Sequence, residues 1–278
     1  MIRIVSDTST LYSTTQAIEA GFEVSPLCVS IAGKTYREFD EISSKEFVDI
    51  IKQGHLPSSS QPSIGEVFEL YEKYAGDEIV NIVMADGLSG TYNSALAAKE
   101  MSANKDNITV INSRTLCGPH RYLVENAVSM AKAGHTKDEI VARTNELMDS
   151  GKSFLIPADF EYLRRGGRLS PAASYLGQVV HFAPVMTQSE NGGKLVLSRI
   201  CRGFKSAFRH IEKMLSEWGV GDDWRIYISH ADTIDMAELA RQIMSSAFPS
   251  AYIEILPLSP AFITQGGPGC VAVQVIHN

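Results

Sequence analysis

Residues 78–96 read Glu-Ile-Val-Asn-Ile-Val-Met-Ala-Asp-Gly-Leu-Ser-Gly-Thr-Tyr-Asn-Ser-Ala-Leu, and their reading decides the fold class. The apolar run over 78–85 predicts a buried strand. Leu88, Tyr92 and Leu96, one turn apart, predict a helix directly after it. Between the two lies a small, hydroxyl-rich turn, Leu88-Ser89-Gly90-Thr91. A turn at such a handover exposes backbone N–H groups and the positive end of a helix dipole. With the neutral hydroxyls of Ser89 and Thr91 added, it suits a ligand with a small anionic head.

The same alternation extends through the first half. Strands are predicted at 2–5, 23–31 and 107–111. Capping boxes, in which a Ser or Thr and a Glu three residues on satisfy each other's backbone N–H groups, open helices at Ser43/Glu46, Ser63/Glu66 and Thr136/Glu139. A long helix is expected over 116–133. This pattern implies a mainly parallel sheet flanked by helices. The second half differs. A strand at 153–156 precedes a short helix from Asp159 and a Gly-rich break. Runs at 182–187 and 194–199, joined by Glu190-Asn191-Gly192-Gly193, read as a hairpin. Further strands at 224–229, 252–256 and 270–276 alternate with helices at 203–217 and 233–246, a mixed sheet with helices. The expected architecture is therefore two α/β domains, 1–157 and 158–278, dividing near Pro157 and forming one unit over 2–277.

With 278 residues, 44% of them hydrophobic, the chain can bury a sizeable core. A net charge of −7 argues against a nucleic-acid partner, because neutralising phosphates needs a basic surface. No apolar run reaches the ~20 residues of a membrane span. The N-terminus lacks the charged-then-apolar pattern of a signal peptide. Cys28, Cys117, Cys201 and Cys270 stand apart with no C-x-x-C pair, which fits reduced thiols in a cytoplasmic protein.

Four segments concentrate small, Gly or hydroxyl residues: 7–10, 58–63, 87–94 and 264–269. The first and third each follow a strand, where ligands of open α/β sheets bind. Gly87-Leu88-Ser89-Gly90-Thr91 resembles a nucleophile elbow without its last Gly, and no histidine lies in an evident acid–base context. A serine-dependent hydrolase of a small ester or acyl substrate, with Ser89 as nucleophile, is the alternative reading. No phosphate loop of the G-x-x-x-x-G-K-[ST] type occurs, and no clustered metal ligands. Hydroxyls without a cation favour a singly charged carboxylate over a polyphosphate. Each segment also has a plain role: Ser63, Ser89 and Thr91 as helix caps, Asp7 as a turn residue, 162–170 as a solvated basic turn, His230 as a structural histidine. A pure interaction module, with 164–168 and Arg202 meeting an acidic partner, is a third reading.

Taken together, Asp7-Thr8-Ser9, Ser59-Ser60-Gln61-Pro62-Ser63, Leu88-Ser89-Gly90-Thr91-Tyr92-Asn93-Ser94-Ala95, Leu163-Arg164-Arg165-Gly166-Gly167-Arg168-Leu169-Ser170 and Gly267-Pro268-Gly269 resemble, in order and spacing, the DegV family. The resemblance covers essentially the whole chain. It implies a non-catalytic protein, without cofactor or metal, that buries a long-chain fatty acid with the carboxyl near the domain junction. Some members are acyl-carrier subunits that present the acid to a fatty acid kinase catalytic subunit. By that resemblance Ser59, where the family usually has Thr, and Ser89 contact the carboxylate. Gln265 stands where the family often has His, and Gly266 where it has Thr; Gln donates a hydrogen bond but does not titrate. Thr91 and Arg168 would support the site, and Arg202 matches a position linked to kinase docking. Asn112-Ser113 replaces the usual Asp-Ser. Tyr175-Leu176, Val179-Val180 and Pro260-Ala261-Phe262-Ile263, beside the motifs, are the expected tunnel wall.

Overall fold

A computed structural model of the chain describes residues 1–174, 182–189 and 192–278. Its first half runs β1 (Ile2–Asp7), α1 (Thr14–Ala20), β2 (Glu23–Ser25), β3 (Cys28–Ile31), β4 (Lys34–Arg37), α2 (Ser44–Lys52), β5 (Ser58–Ser60), α3 (Ile64–Lys73), β6 (Glu78–Val83), α4 (Thr91–Met101), β7 (Ile108–Asn112), α5 (Cys117–Lys132) and α6 (Lys137–Met148). The second half runs β8 (Lys152–Ile156), α7 (Phe160–Gly166), α8 (Pro171–Ser174), β9 (Ala183–Gln188), β10 (Leu195–Cys201), α9 (Phe204–Glu217), β11 (Trp224–His230), α10 (Ile234–Ala247), β12 (Tyr252–Pro257), α11 (Pro260–Gly266) and β13 (Val271–His277).

The first sheet, β2-β1-β6-β7, is wholly parallel. Parallel strands are covered on both faces, so they read as continuous apolar runs, and Ile79 to Val83 are all buried. The chain steps from β1 to β2 on one side and from β6 to β7 on the other. The strand order therefore reverses between β1 and β6, and a crevice opens beyond their carboxyl ends. All three expected capping boxes form, and a fourth pairs Ser13 with Gln16 ahead of α1.

The strand expected over 23–31 is two strands in two sheets. Pro26 lacks an N–H, and Leu27 N–H donates to the Thr8 hydroxyl at 2.9 Å instead of to a ladder. β3 then pairs antiparallel with β4 and β5 in a separate three-stranded sheet. The serine-rich segment at 58–60, read as a loop, is the strand β5, with Ser59 opposite Val29. Neither β4 nor α11 was expected.

The third sheet is mixed, in the order β10-β9-β8-β13-β11-β12; only β11–β12 is a parallel pair. The hairpin of β9 and β10 forms as expected, although Glu190 and Asn191 of its turn lie outside the described residues. Period-2 alternation divides the faces of β13. Val271, Val273 and Val275 pack with Phe208 and Ile211 of α9 and with Ala237 and Ala240 of α10. Ala272 and Gln274 face the opposite way, toward the first half. There α5 approaches so closely that a Cβ on Gly118 would stand 2.1 Å from the Tyr227 ring. Because β8 belongs to this sheet, the change of sheet falls before Lys152, ahead of the Pro157 division. One core cluster joins Ile4, Val80 and Leu123 to Tyr227, Leu258 and Ile263, so the halves share a core.

Candidate functional site

The crevice at the strand-order reversal closes into a cavity where the sheets meet. Its space, open mouth included, is about 880 Å³. The turn after β6 supplies Met84, Leu88 and Ser89, β5 supplies Ser59, and α11 supplies Ala261, Phe262 and Gln265. The inner face of the mixed sheet contributes Leu155, Met186 and Ala272, with Ser153 and Gln274 among them. The wall is predominantly apolar, with a few polar groups set into it.

Four of the sequence-derived residues, Ser59, Ser89, Arg168 and Gln265, line this one cavity. Gln265 Nε2 donates to Ser59 Oγ at 3.1 Å, joining α11 to the edge of the small sheet. Gln265 Oε1 is buried without a partner. A Cβ on Gly166 would stand 1.9 Å from that oxygen, so glycine at 166 makes room for this side chain. The Ser89 and Thr91 hydroxyls lie 2.8 Å apart, and Ser89 Oγ accepts from Thr91 N–H at 3.3 Å. Ser89 thus spends part of its bonding capacity on Thr91 in the turn ahead of α4, and its hydroxyl retains capacity for a further bond. Thr91 is buried behind it and lines no cavity wall. Among the described residues, no histidine or carboxylate contacts Ser89.

The hydroxyl loops are not without a cation, contrary to the reading from sequence. Arg168 lines the cavity beside Ser59, Ser89 and Gln265. Its Nε donates to Leu88 O at 3.1 Å and its Nη1 to Gly166 O at 2.5 Å. Burial disfavours its charge, and among the described residues no carboxylate lies within 4.0 Å of it. Arg164 and Arg165, in the same motif, are exposed and both pair with Glu161, at 2.6 and 3.0 Å. The basic turn therefore splits into two solvated arginines and one turned inward.

The loop at 7–10 does not reach the cavity wall. Asp7 accepts from Ser9 N–H at 2.8 Å and Met84 N–H at 2.9 Å, which uses its carboxylate to tie β1 to the end of β6. Ser9 Oγ lies 2.6 Å from His120 Nδ1, and His120 Nε2 lies 3.0 Å from Ile82 O. The sequence reading placed this fully buried histidine in no acid–base context. Desolvation lowers its pKa, so it is neutral, with Nε2–H donating to Ile82 and Nδ1 accepting from Ser9. Thr8 donates to Glu38, whose other oxygen accepts Ala261 N–H at the start of α11. Burial raises the Glu38 pKa to about 7.

Of the expected wall, Ala261 and Phe262 line the cavity, whereas Pro260 and Ile263 are buried in packing behind it. Tyr175, Leu176, Val179 and Val180 lie outside the described residues. Arg202 is exposed where β10 hands over to α9, away from the cavity wall. No helix among the described residues is long and apolar enough to cross a membrane, and none of their His, Cys, Asp and Glu side chains gather into a metal site.

The DegV family, whose model carries the description "Uncharacterised protein, DegV family", matches residues 1–278. A DegV domain-containing protein of Staphylococcus aureus (strain N315) is 29% identical over 99% of this chain and 98% of its own. Two solved structures superpose over the whole chain and 99% of theirs. One is a fatty-acid-binding DegV family protein of Thermus thermophilus, 25% identical with a TM-score of 0.89. The other is DegV of Bacillus subtilis, a fatty acid binding protein, 26% identical with a TM-score of 0.87.

Proposed function

The chain belongs to the DegV family, and from that premise we propose that it binds one long-chain fatty acid, its acyl chain in the cavity and its carboxylate at Ser59, Ser89 and Gln265, with Arg168 as counter-charge. The observation that carries the reading is Arg168: a half-buried cation with no acidic partner among the described residues, beside two hydroxyls at one apolar cavity. A carboxylate completes that set, and hydrogen bonds to a charged group are worth about 1.5–3 kcal/mol each. An acyl chain of about 14 methylenes gains on the order of 11 kcal/mol gross on full burial. Binding costs of about 4–15 kcal/mol offset much of this, so capture depends on near-complete enclosure.

The protein acts as a binder and carrier in this reading rather than as an enzyme. Ser89 paired with Thr91, with no histidine or carboxylate in contact with it among the described residues, supports a hydrogen-bond donor over a nucleophile. The exposed Arg202 is the docking contact for a fatty acid kinase catalytic subunit, to which the bound acid would be presented. Native mass spectrometry of the protein purified from cells tests the binding. An added mass of one long-chain fatty acid is expected. Protein that is ligand-free and also fails to take up added palmitate or oleate would refute it.

A further inference from the structure

Gln274 stands on β13, inside a strand whose neighbours Val273 and Val275 are apolar, yet its side chain lines the ligand cavity. It is almost fully buried, with 1% of its surface exposed. One end of its amide donates to Leu116 O and to Ser153 Oγ, both at 2.9 Å. A carbonyl oxygen only accepts, so the end facing Leu116 is Nε2 and the amide orientation is fixed. The tie to Leu116 joins β13 to the start of α5 and gives the nitrogen a structural role. It leaves Oε1 buried with no partner. Buried acceptors are rarely left so, because the desolvation penalty persists until a donor arrives. Ser153, opposite Gln274 across the β8–β13 ladder, also lines the cavity. Having accepted from Nε2, its hydroxyl keeps a proton to donate.

The Gln274 amide and the Ser153 hydroxyl therefore stand side by side among the residues lining the cavity, beside Leu155, Met186, Gln188 and Ala272. A saturated acyl chain offers them nothing. A hydroxyl on the chain matches both, donating to Gln274 Oε1 and accepting from Ser153. We propose that Gln274 and Ser153 select a fatty acid bearing a hydroxyl along its chain. The inference rests on the fatty-acid reading above and names the ligand class more narrowly.

Dissociation constants for octadecanoic acid and a series of monohydroxy-octadecanoic acids differing in hydroxyl position test it. In the wild-type protein one position binds at least as tightly as the unsubstituted acid, and the others bind more weakly. Gln274→Leu weakens the favoured isomer about tenfold more than it weakens octadecanoic acid, so that the preference for that isomer is lost; an equal effect on both acids overturns the proposal. Ser153→Ala, a smaller change, weakens the same isomer by a smaller factor. A wild-type series in which every isomer binds more weakly than octadecanoic acid overturns the proposal without needing any variant; the acceptor would then be met by a buried water. Wild-type protein that binds no member of the set, octadecanoic acid included, overturns the fatty-acid reading itself.

Discussion

Two clusters of serines and neighbouring polar groups lie at the ends of adjacent strands, one sealed and one open. Behind β1, Ser9 and His120 stand 2.6 Å apart with Asp7 close by, the residue types of a hydrolytic triad. Every one of them is fully buried. Asp7 is held by two backbone N–H groups, and His120 spends both ring nitrogens on Ser9 and the Ile82 carbonyl. Beyond β6, Ser89, Ser59, Gln265 and Arg168 line a cavity and are only partly satisfied. Gln265 Nε2 has given only one of its two protons, to Ser59, and Arg168 carries a charge with no acidic partner among the described residues. Residue types alone would assign chemistry to the first cluster. Access and unfilled bonding capacity assign ligand binding to the second and stability to the first.

His120→Ala strikes the sealed cluster. It strands Ser9 and opens a void, and the expected loss of stability is about 3 kcal/mol, read as a lowered thermal midpoint. Palmitate affinity of the folded fraction should not change; a selective loss of binding would erase the contrast. Glu38 joins the sealed region to α11 and titrates with a folded pKa of about 7 against an ordinary value of 4.5. A raised pKa favours the protonated folded state. Its contribution is thus fully present below pH 4.5 and lost as pH rises through about 7, by at most about 3 kcal/mol. Melting temperatures across that window should fall with pH, and Glu38→Gln should flatten the slope. Arg168→Met strikes the open cluster: it should weaken palmitate by about 2 kcal/mol and leave its methyl ester unaffected, as isothermal titration would report. Equal effects on acid and ester would mean that Arg168 is packing rather than counter-charge. Arg202→Glu lies outside both regions and should move neither stability nor palmitate affinity by more than about 0.5 kcal/mol. Co-purification of a kinase subunit is where its effect belongs.

What was legible in the sequence follows where the forces are local. The 78–96 handover and the three expected capping boxes are short-range patterns, and they formed. β5 was hidden because Ser58, Ser59 and Ser60 have no β-forming side chains; partnership with β3 makes them a strand. Arg168 was named only through the resemblance, because local pattern cannot distinguish it from Arg164 and Arg165, whose carboxylate partner Glu161 precedes them by three or four residues. His120 and Gln274 each sit in stretches read only for apolar content. A polar residue at an inward position of an otherwise valine-rich strand was the signal available for Gln274. The sequence pointed to Ser59, Ser89 and Gln265 as one site through the family resemblance, because their meeting is a property of a strand, a turn and a helix far apart in the chain and of no local pattern.

The central claim, that the open cluster holds a carboxylate, meets its most direct test in Ser89→Ala. Palmitate titration of this variant beside the wild type should show a dissociation constant raised roughly 5- to 150-fold, the loss of one buried partner worth about 1–3 kcal/mol. An unchanged constant would contradict the account and leave Ser89 as no more than a turn residue bonded to Thr91.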